Sequence, residues 1–161
     1  MLTEDRWIQF GKPREEIKGI IIHNTSNYQM SARQLFDYLQ NESKDSRGCH
    51  YLVDYKEVIE VMPLNYSVWN SGVAYDFANT KGIAIEICSN LDKQKYLKGQ
   101  AKAIKLIKSL MKEYNLTKDD IYFHNDFLNV NCPANILQIY KTKKNFINKF
   151  FGGKINGRQK D

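Results

Sequence analysis

Residues 82–88 read Gly-Ile-Ala-Ile-Glu-Ile-Cys and alternate with a period of two. Ile83, Ile85 and Ile87 fall on one face of an extended chain; Ala84, Glu86 and Cys88 fall on the other. This pattern predicts a strand with an apolar face, and a strand needs partners. Ile20, Ile21 and Ile22 form a short β-branched run that ends in His23, which predicts a second, buried strand. Residues 51–54 and 58–61 flank a polar turn and predict a hairpin. Residues 120–124 predict another strand, again ending in a histidine, His124.

Helical signals separate these strands. Ser31 is a candidate N-cap, followed by Leu35, Phe36 and Leu39 at helical spacing. Residues 100–114 carry an apolar stripe of Ala103, Ile104, Ile107, Leu110, Met111 and Tyr114, with Lys102, Lys105, Lys108 and Lys112 opposite. Residues 135 to about 150 predict one last helix, with Pro133 near its start. Strands alternating with helices imply an α/β class with a central mixed sheet flanked by helices. The 161 residues suit a single domain.

Charge is unevenly distributed. The net charge is +6, and residues 141–161 hold seven Lys or Arg and one Asp, a balance of +6. Residues 1–140 hold 17 basic and 17 acidic residues and are neutral. The basic end can meet nucleic acid, anionic lipid or an anionic cell wall, or can simply be solvated. A nucleic-acid-binding protein should carry its positive charge over a folded face, so the neutral body argues against that class. No run approaches the ~18 apolar residues of a membrane span. The first ten residues, MLTEDRWIQF, lack the apolar core of a signal peptide.

The chemistry rests on few residues. There are three histidines, and two of them end predicted strands. Cys132 comes eight residues after His124, in a loop, followed by Pro133. Imidazole nitrogens and a thiolate are the donors zinc prefers, and a catalytic zinc site keeps a fourth position open. Two histidines at strand ends and a cysteine in the next loop can make such a three-ligand site. Taken singly, each is more often a packed or hydrogen-bonded core group. Three cysteines, Cys49, Cys88 and Cys132, cannot make a complete disulfide framework. Glu86 sits inside an apolar strand, where an unpartnered carboxylate is costly. It is either ion-paired or functional; beside a zinc-bound water it could act as general base. A zinc deaminase would need H-x-E and P-C-x-x-C elements, and neither is present.

Five segments together resemble the type 2 N-acetylmuramoyl-L-alanine amidases, which include phage endolysins, bacterial autolysins and peptidoglycan recognition proteins. They are Ile20-Ile21-Ile22-His23-Asn24-Thr25, Cys49-His50-Tyr51-Leu52-Val53-Asp54, Val68-Trp69-Asn70-Ser71-Gly72, the stretch from Asn79 to Cys88, and that from Phe123-His124 to Cys132-Pro133. The resemblance spans roughly residues 17–140 and is nearest to endolysin amidase domains from phages of Gram-positive hosts. It implies a single Zn2+ held by His23, His124 and Cys132, with Glu86 as general base. It implies hydrolysis of the amide between N-acetylmuramic acid and L-alanine in peptidoglycan. Thr25, Trp69 and Asn79 lie on loops expected to rim the groove and are expected substrate contacts. His50 begins a strand and is expected outside the zinc shell.

Three departures stand out. Cys49 replaces a tyrosine, Val130 a lysine, and Asn70-Ser71 the His-Ala of a WHAG motif; the last reads as a change in specificity, with Asn70 free to donate to substrate. Under this resemblance residues 1–150 are the catalytic domain and 151–161 a basic tail or the start of a linker. The protein is expected to be a monomer, made in the cytoplasm without a signal peptide and released to the wall through a holin-type hole. Its tail would touch anionic wall polymers. The rival within the same fold is a non-catalytic peptidoglycan-binding module; such relatives typically lack the cysteine ligand that Cys132 would supply.

Overall fold

The structure is a computed structural model and describes residues 1–152. Five strands form one mixed sheet: β1 (Gly19–Asn24), β2 (Tyr51–Val53), β3 (Val58–Glu60), β4 (Gly82–Ile87) and β5 (Ile121–Phe123), in the order β3-β2-β4-β1-β5. The β2–β4, β4–β1 and β1–β5 pairs are parallel; only the β2–β3 hairpin is antiparallel. Parallel neighbours need crossovers, so helices cover both faces.

The alternation in β4 decides which helices go where. Ile83, Ile85 and Ile87 join Ile20, Ile22, Ile121 and Phe123 in one core. That core is closed by α4 (Lys93–Glu113), α5 (Ala134–Tyr140) and α6 (Lys143–Phe151), through Ile107, Leu110, Ile136 and Phe146 among others. Ala84 and Cys88, from the opposite face of β4, pack with Leu52, Cys49 and Val61 under α1 (Glu4–Phe10) and α2 (Ala32–Asn41), which contribute Phe10, Ala32 and Leu39.

Local signals explain most element ends. The predicted helix after Ser31 is α2, and Ser31 forms a full capping box with Gln34. The helix expected from residue 100 starts at Lys93, because the Asp92 side chain accepts from the backbone N–H groups of Gln94 and Lys95. In place of one last helix there are two. Lys141 turns the chain at φ +70, and Thr142 caps a fresh helix by accepting from the Asn145 N–H. Two short helices, α1 and α3 (Phe77–Lys81), carry too few residues to show a period and were not anticipated. Of the expected tail, Phe151 closes α6, and residues 153–161 lie outside the described residues. No helix among the described residues is long and apolar enough to cross a membrane.

Candidate metal centre

β1 and β4 are parallel neighbours in a register that pairs His23 with Glu86. Their neighbours Ile22 and Ile85 point into the α4 core, so His23 and Glu86 share the other face. The His23 Nδ1 lies 4.0 Å from Glu86 Oε1 and 3.9 Å from Cys132 Sγ. His124, one residue past the end of β5, starts a 3-10 turn (His124–Asp126) that sets its ring 4.6 Å from that of His23, the two planes tilted by 54°. One ligand atom from each of His23, His124 and Cys132 lies within 4.8 Å of the other two. The strands thus bring together three side chains that are 101 and 8 residues apart in the chain.

The loop carrying Cys132 is tied down on two sides. The Cys132 carbonyl accepts from the Asn125 N–H. Asn24, at the end of β1, accepts on Oδ1 from the N–H groups of Asn135 and Ile136 and donates from Nδ2 to the Ile87 carbonyl. One buried asparagine therefore joins β1, β4 and the start of α5.

Both histidine tautomers follow from their partners. The Ser71 carbonyl can only accept, so His124 Nε2, 3.0 Å away, donates to it. Asn70 Nδ2 donates to the carbonyls of Val68 and Ala78, so Asn70 Oδ1 faces His23 Nε2 at 3.0 Å and accepts from it. Each ring is left with Nδ1 as its lone-pair nitrogen, and in His23 that atom faces Cys132. This is the arrangement of metal-ligating histidines, whose other nitrogen donates to a fixed acceptor.

Burial tunes the charges. It holds His23 down at about 3, with His124 adding to the effect, so His23 stays a neutral imidazole. It pushes the Cys132 thiol up to about 12. It pushes Glu86 up to about 7, although the side chain as a whole keeps 26% of its surface exposed. The cause is local: Glu86 Oε2 is dry and has no hydrogen-bond partner among the described residues. Two imidazoles, a thiol and a carboxylate with one unpartnered oxygen are a donor set that fits a soft divalent cation.

Glu86 carries a proton in the folded protein over the range from about 4.5 to about 7, where the unfolded chain has lost it. The metal-free protein therefore loses stability as pH rises through that window. Buried His23 acts in the opposite direction, so the comparison must be with a variant. Glu86→Gln should leave the Tm of the chelator-treated protein unchanged at pH 4 and raise it at pH 8. The expected gain is on the order of 2 kcal/mol, or roughly 4–8 °C. Calorimetry at the two pH values checks this; equal Tm values at pH 8 would show a well-solvated carboxylate.

The remaining predicted residues are placed as follows. Trp69 is half-buried and meets the exposed Tyr75 edge-on, ring centroids 5.3 Å apart. Thr25 is half-buried; its hydroxyl donates to the Asn27 carbonyl and accepts from the Ser89 N–H. Asn79 does not rim a groove. It is buried at 2% exposure, and both its amide oxygen and its amide nitrogen bond to loop backbone. Asn70 is not free to donate to a substrate, since both its amide hydrogens go to carbonyls. His50 is fully buried; its Nδ1 accepts from the Ala84 N–H and its Nε2 faces the Tyr66 carbonyl, so it pins β2 to β4. Cys49 is also buried, and no cysteine is in a disulfide.

A mixed sheet that gathers two imidazoles, a thiol and a carboxylate with one unpartnered oxygen at one end defines an α/β protein with a three-residue cluster that could hold a metal ion. The family described as N-acetylmuramoyl-L-alanine amidase matches residues 13–135, and the chain belongs to it. The chain is 32% identical over 127 residues to the N-acetylmuramoyl-L-alanine amidase XlyA of Bacillus subtilis (strain 168), an alignment covering 78% of this chain and 42% of that protein. It is 36% identical over 120 residues to XlyB of the same organism, covering 73% and 37%. The chain thus spans about two fifths of the length of these relatives. Among solved structures, the catalytic domain of XlyA matches with a TM-score of 0.72 at 30% identity, covering 81% of this chain and 87% of that one. PlyL shares the fold, with a TM-score of 0.85 at 24% identity and 96% of each chain covered.

Proposed function

We propose that the chain is a zinc-dependent N-acetylmuramoyl-L-alanine amidase unit that hydrolyses the amide between the lactyl group of N-acetylmuramic acid and the L-alanine of the stem peptide. The observation that carries this reading is the convergence of His23, His124 and Cys132, with Glu86 4.0 Å from His23, in a chain whose relatives are named for that activity.

His23 and His124, each through Nδ1, and Cys132, through its thiolate, would hold one zinc ion. When bound, zinc supplies a Lewis acid that acidifies water and polarises a carbonyl. The other steps belong to Glu86. Its carboxylate takes a proton from the water that attacks the lactyl carbonyl carbon. It then delivers that proton to the alanine nitrogen as the C–N bond breaks. An acid that holds its proton until about pH 7 is matched to both halves of this transfer. Thr25 and Trp69 are proposed to touch substrate at the rim. The exposed Lys144 and Lys149 of α6 are proposed to meet anionic wall polymers.

Purified Gram-positive cell walls provide the test. Incubation with the protein should release new L-alanine amino termini and no reducing sugar ends. A chelator should abolish the release and Zn2+ should restore it. Reducing ends without amino termini, or activity indifferent to chelation, would overturn the proposal.

A further inference from the structure

The loop between Trp69 and Asp76 supports both histidines at once. Asn70 Oδ1 takes the Nε2 proton of His23, and the carbonyl of the next residue, Ser71, takes that of His124. Both acceptors are useful only if this backbone is held still. Ser71 and Gly72 lie in an irregular stretch, Gly72 at φ +77 and Tyr75 at φ +56, with no strand to hold them.

Ser71 Oγ donates to the Val73 carbonyl and accepts from the Val73 N–H, and one further side chain reaches both acceptor residues at once. Asn79, in α3, accepts on Oδ1 from the N–H groups of both Asn70 (2.7 Å) and Ser71 (2.9 Å), and donates from Nδ2 to the Val73 carbonyl (2.7 Å). Its own N–H is fixed by the Asp76 side chain that caps α3, and its carbonyl accepts from the Val68 N–H. At 2% exposure it has no water to replace these partners. Deleting the amide would strand the half-buried N–H of Asn70 and the buried N–H of Ser71, the two residues that carry the acceptors.

We propose that Asn79 is the positioning residue of the metal cluster: through the Asn70–Ser71 backbone it fixes two acceptors that orient the rings of His23 and His124 and commit both to the Nε2–H tautomer. The cluster is then set before any ion arrives, and no tautomer exchange or ring rotation is needed on binding. Asn79 touches no ligand atom itself and acts only through its neighbours. The proposal rests on the metal-centre reading for its purpose, and on hydrogen-bond geometry alone for the tautomers.

Two readouts on the full chain separate these. Long-range 1H–15N spectra of the metal-free protein should show both His23 and His124 protonated at Nε2. Competition against a chromophoric chelator should give the zinc affinity. Asn79→Leu matches the volume but lacks the amide. It should lower zinc affinity about 10–100-fold and give mixed tautomer signals for both rings. Asn79→Asp keeps an oxygen for the two N–H groups and should recover most of the loss. Asn70→Ala should disturb the signals of His23 and spare those of His124, a split that general loosening would not produce.

A wild-type Nδ1–H tautomer at either histidine overturns the proposal whether or not any variant folds. So does a folded Asn79→Leu protein with unaltered tautomers and zinc affinity. If the wild type shows both Nε2–H forms yet binds no zinc, the positioning stands and the metal-centre reading is what fails.

Discussion

Glu86→Gln should lower the rate of wall hydrolysis by about 10²–10⁴-fold while zinc uptake stays within a few-fold of wild type. Glutamine fills the same volume in the same strand, so the β1–β4 register that opposes residue 86 to His23 is retained. What it lacks is a site for a proton. Glu86 is suited to hold one briefly, because burial has brought it up to about 7 with Oε2 unpartnered. The carboxylate must be ionised to begin the reaction, so kcat/KM should fall on the acid side. A neighbouring dication favours the ionised form, which puts that limb below pH 7 in the loaded protein. Steady-state release of alanine amino termini, with zinc content measured on the same sample, checks the prediction. Near-wild-type kcat in a zinc-replete variant would remove Glu86 from the proton transfer. Parallel loss of zinc and activity would make it a ligand instead. The same substitution should stabilise the metal-free fold at pH 8, so the residue trades stability for function.

What could be read from the chain follows the range of the physics involved. The period-two pattern of residues 82–88 and the β-branched run before His23 are local, and both elements and their apolar faces appear as expected. The residue types of the candidate cluster were legible because the chain has only three histidines and two of them end strands. Their mutual distance was not: it depends on β1 lying between β4 and β5, a pairing across some hundred residues. Asn79 was legible as a polar loop-side residue and expected to face substrate. Whether an asparagine lies on a rim or beneath a loop depends on what packs over it, and here the Asn70–Ser71 backbone does. Asn70 departs from its expected role for the same reason, since nothing local marks Val68 and Ala78 as its acceptors. The break at Lys141 escaped because a lysine is disfavoured at positive φ, so the residue type gives no local sign of the turn made there.

Cys132→Ser should weaken zinc binding by at least about 100-fold, more than the 10–100-fold typical of losing a ligand's outer support. Serine preserves shape and the loop's backbone bonds to Asn125 and Asn24, so the metal-free fold should be unaffected. The change falls on the donor: a soft thiolate becomes a hydroxyl that does not ionise at neutral pH. In the metal-free protein burial keeps the thiol protonated, up to about 12, so it should react slowly with alkylating agents. Zinc binding must displace that proton, and wild-type affinity should therefore decline as pH falls. A 100-fold loss corresponds to about 2.7 kcal/mol less stabilisation at saturating metal, so the rise in Tm on adding zinc should shrink sharply in Cys132→Ser. Cys49→Ser and Cys88→Ser serve as controls, because both cysteines are buried outside the His23–His124–Cys132 cluster and should cost fold stability but leave metal affinity intact. A Cys132→Ser protein that binds zinc as tightly as wild type would mean that the third donor lies elsewhere. Glu86, 4.0 Å from His23 Nδ1, would then be the nearest alternative, and the ligand and proton-transfer roles would have to be reassigned together.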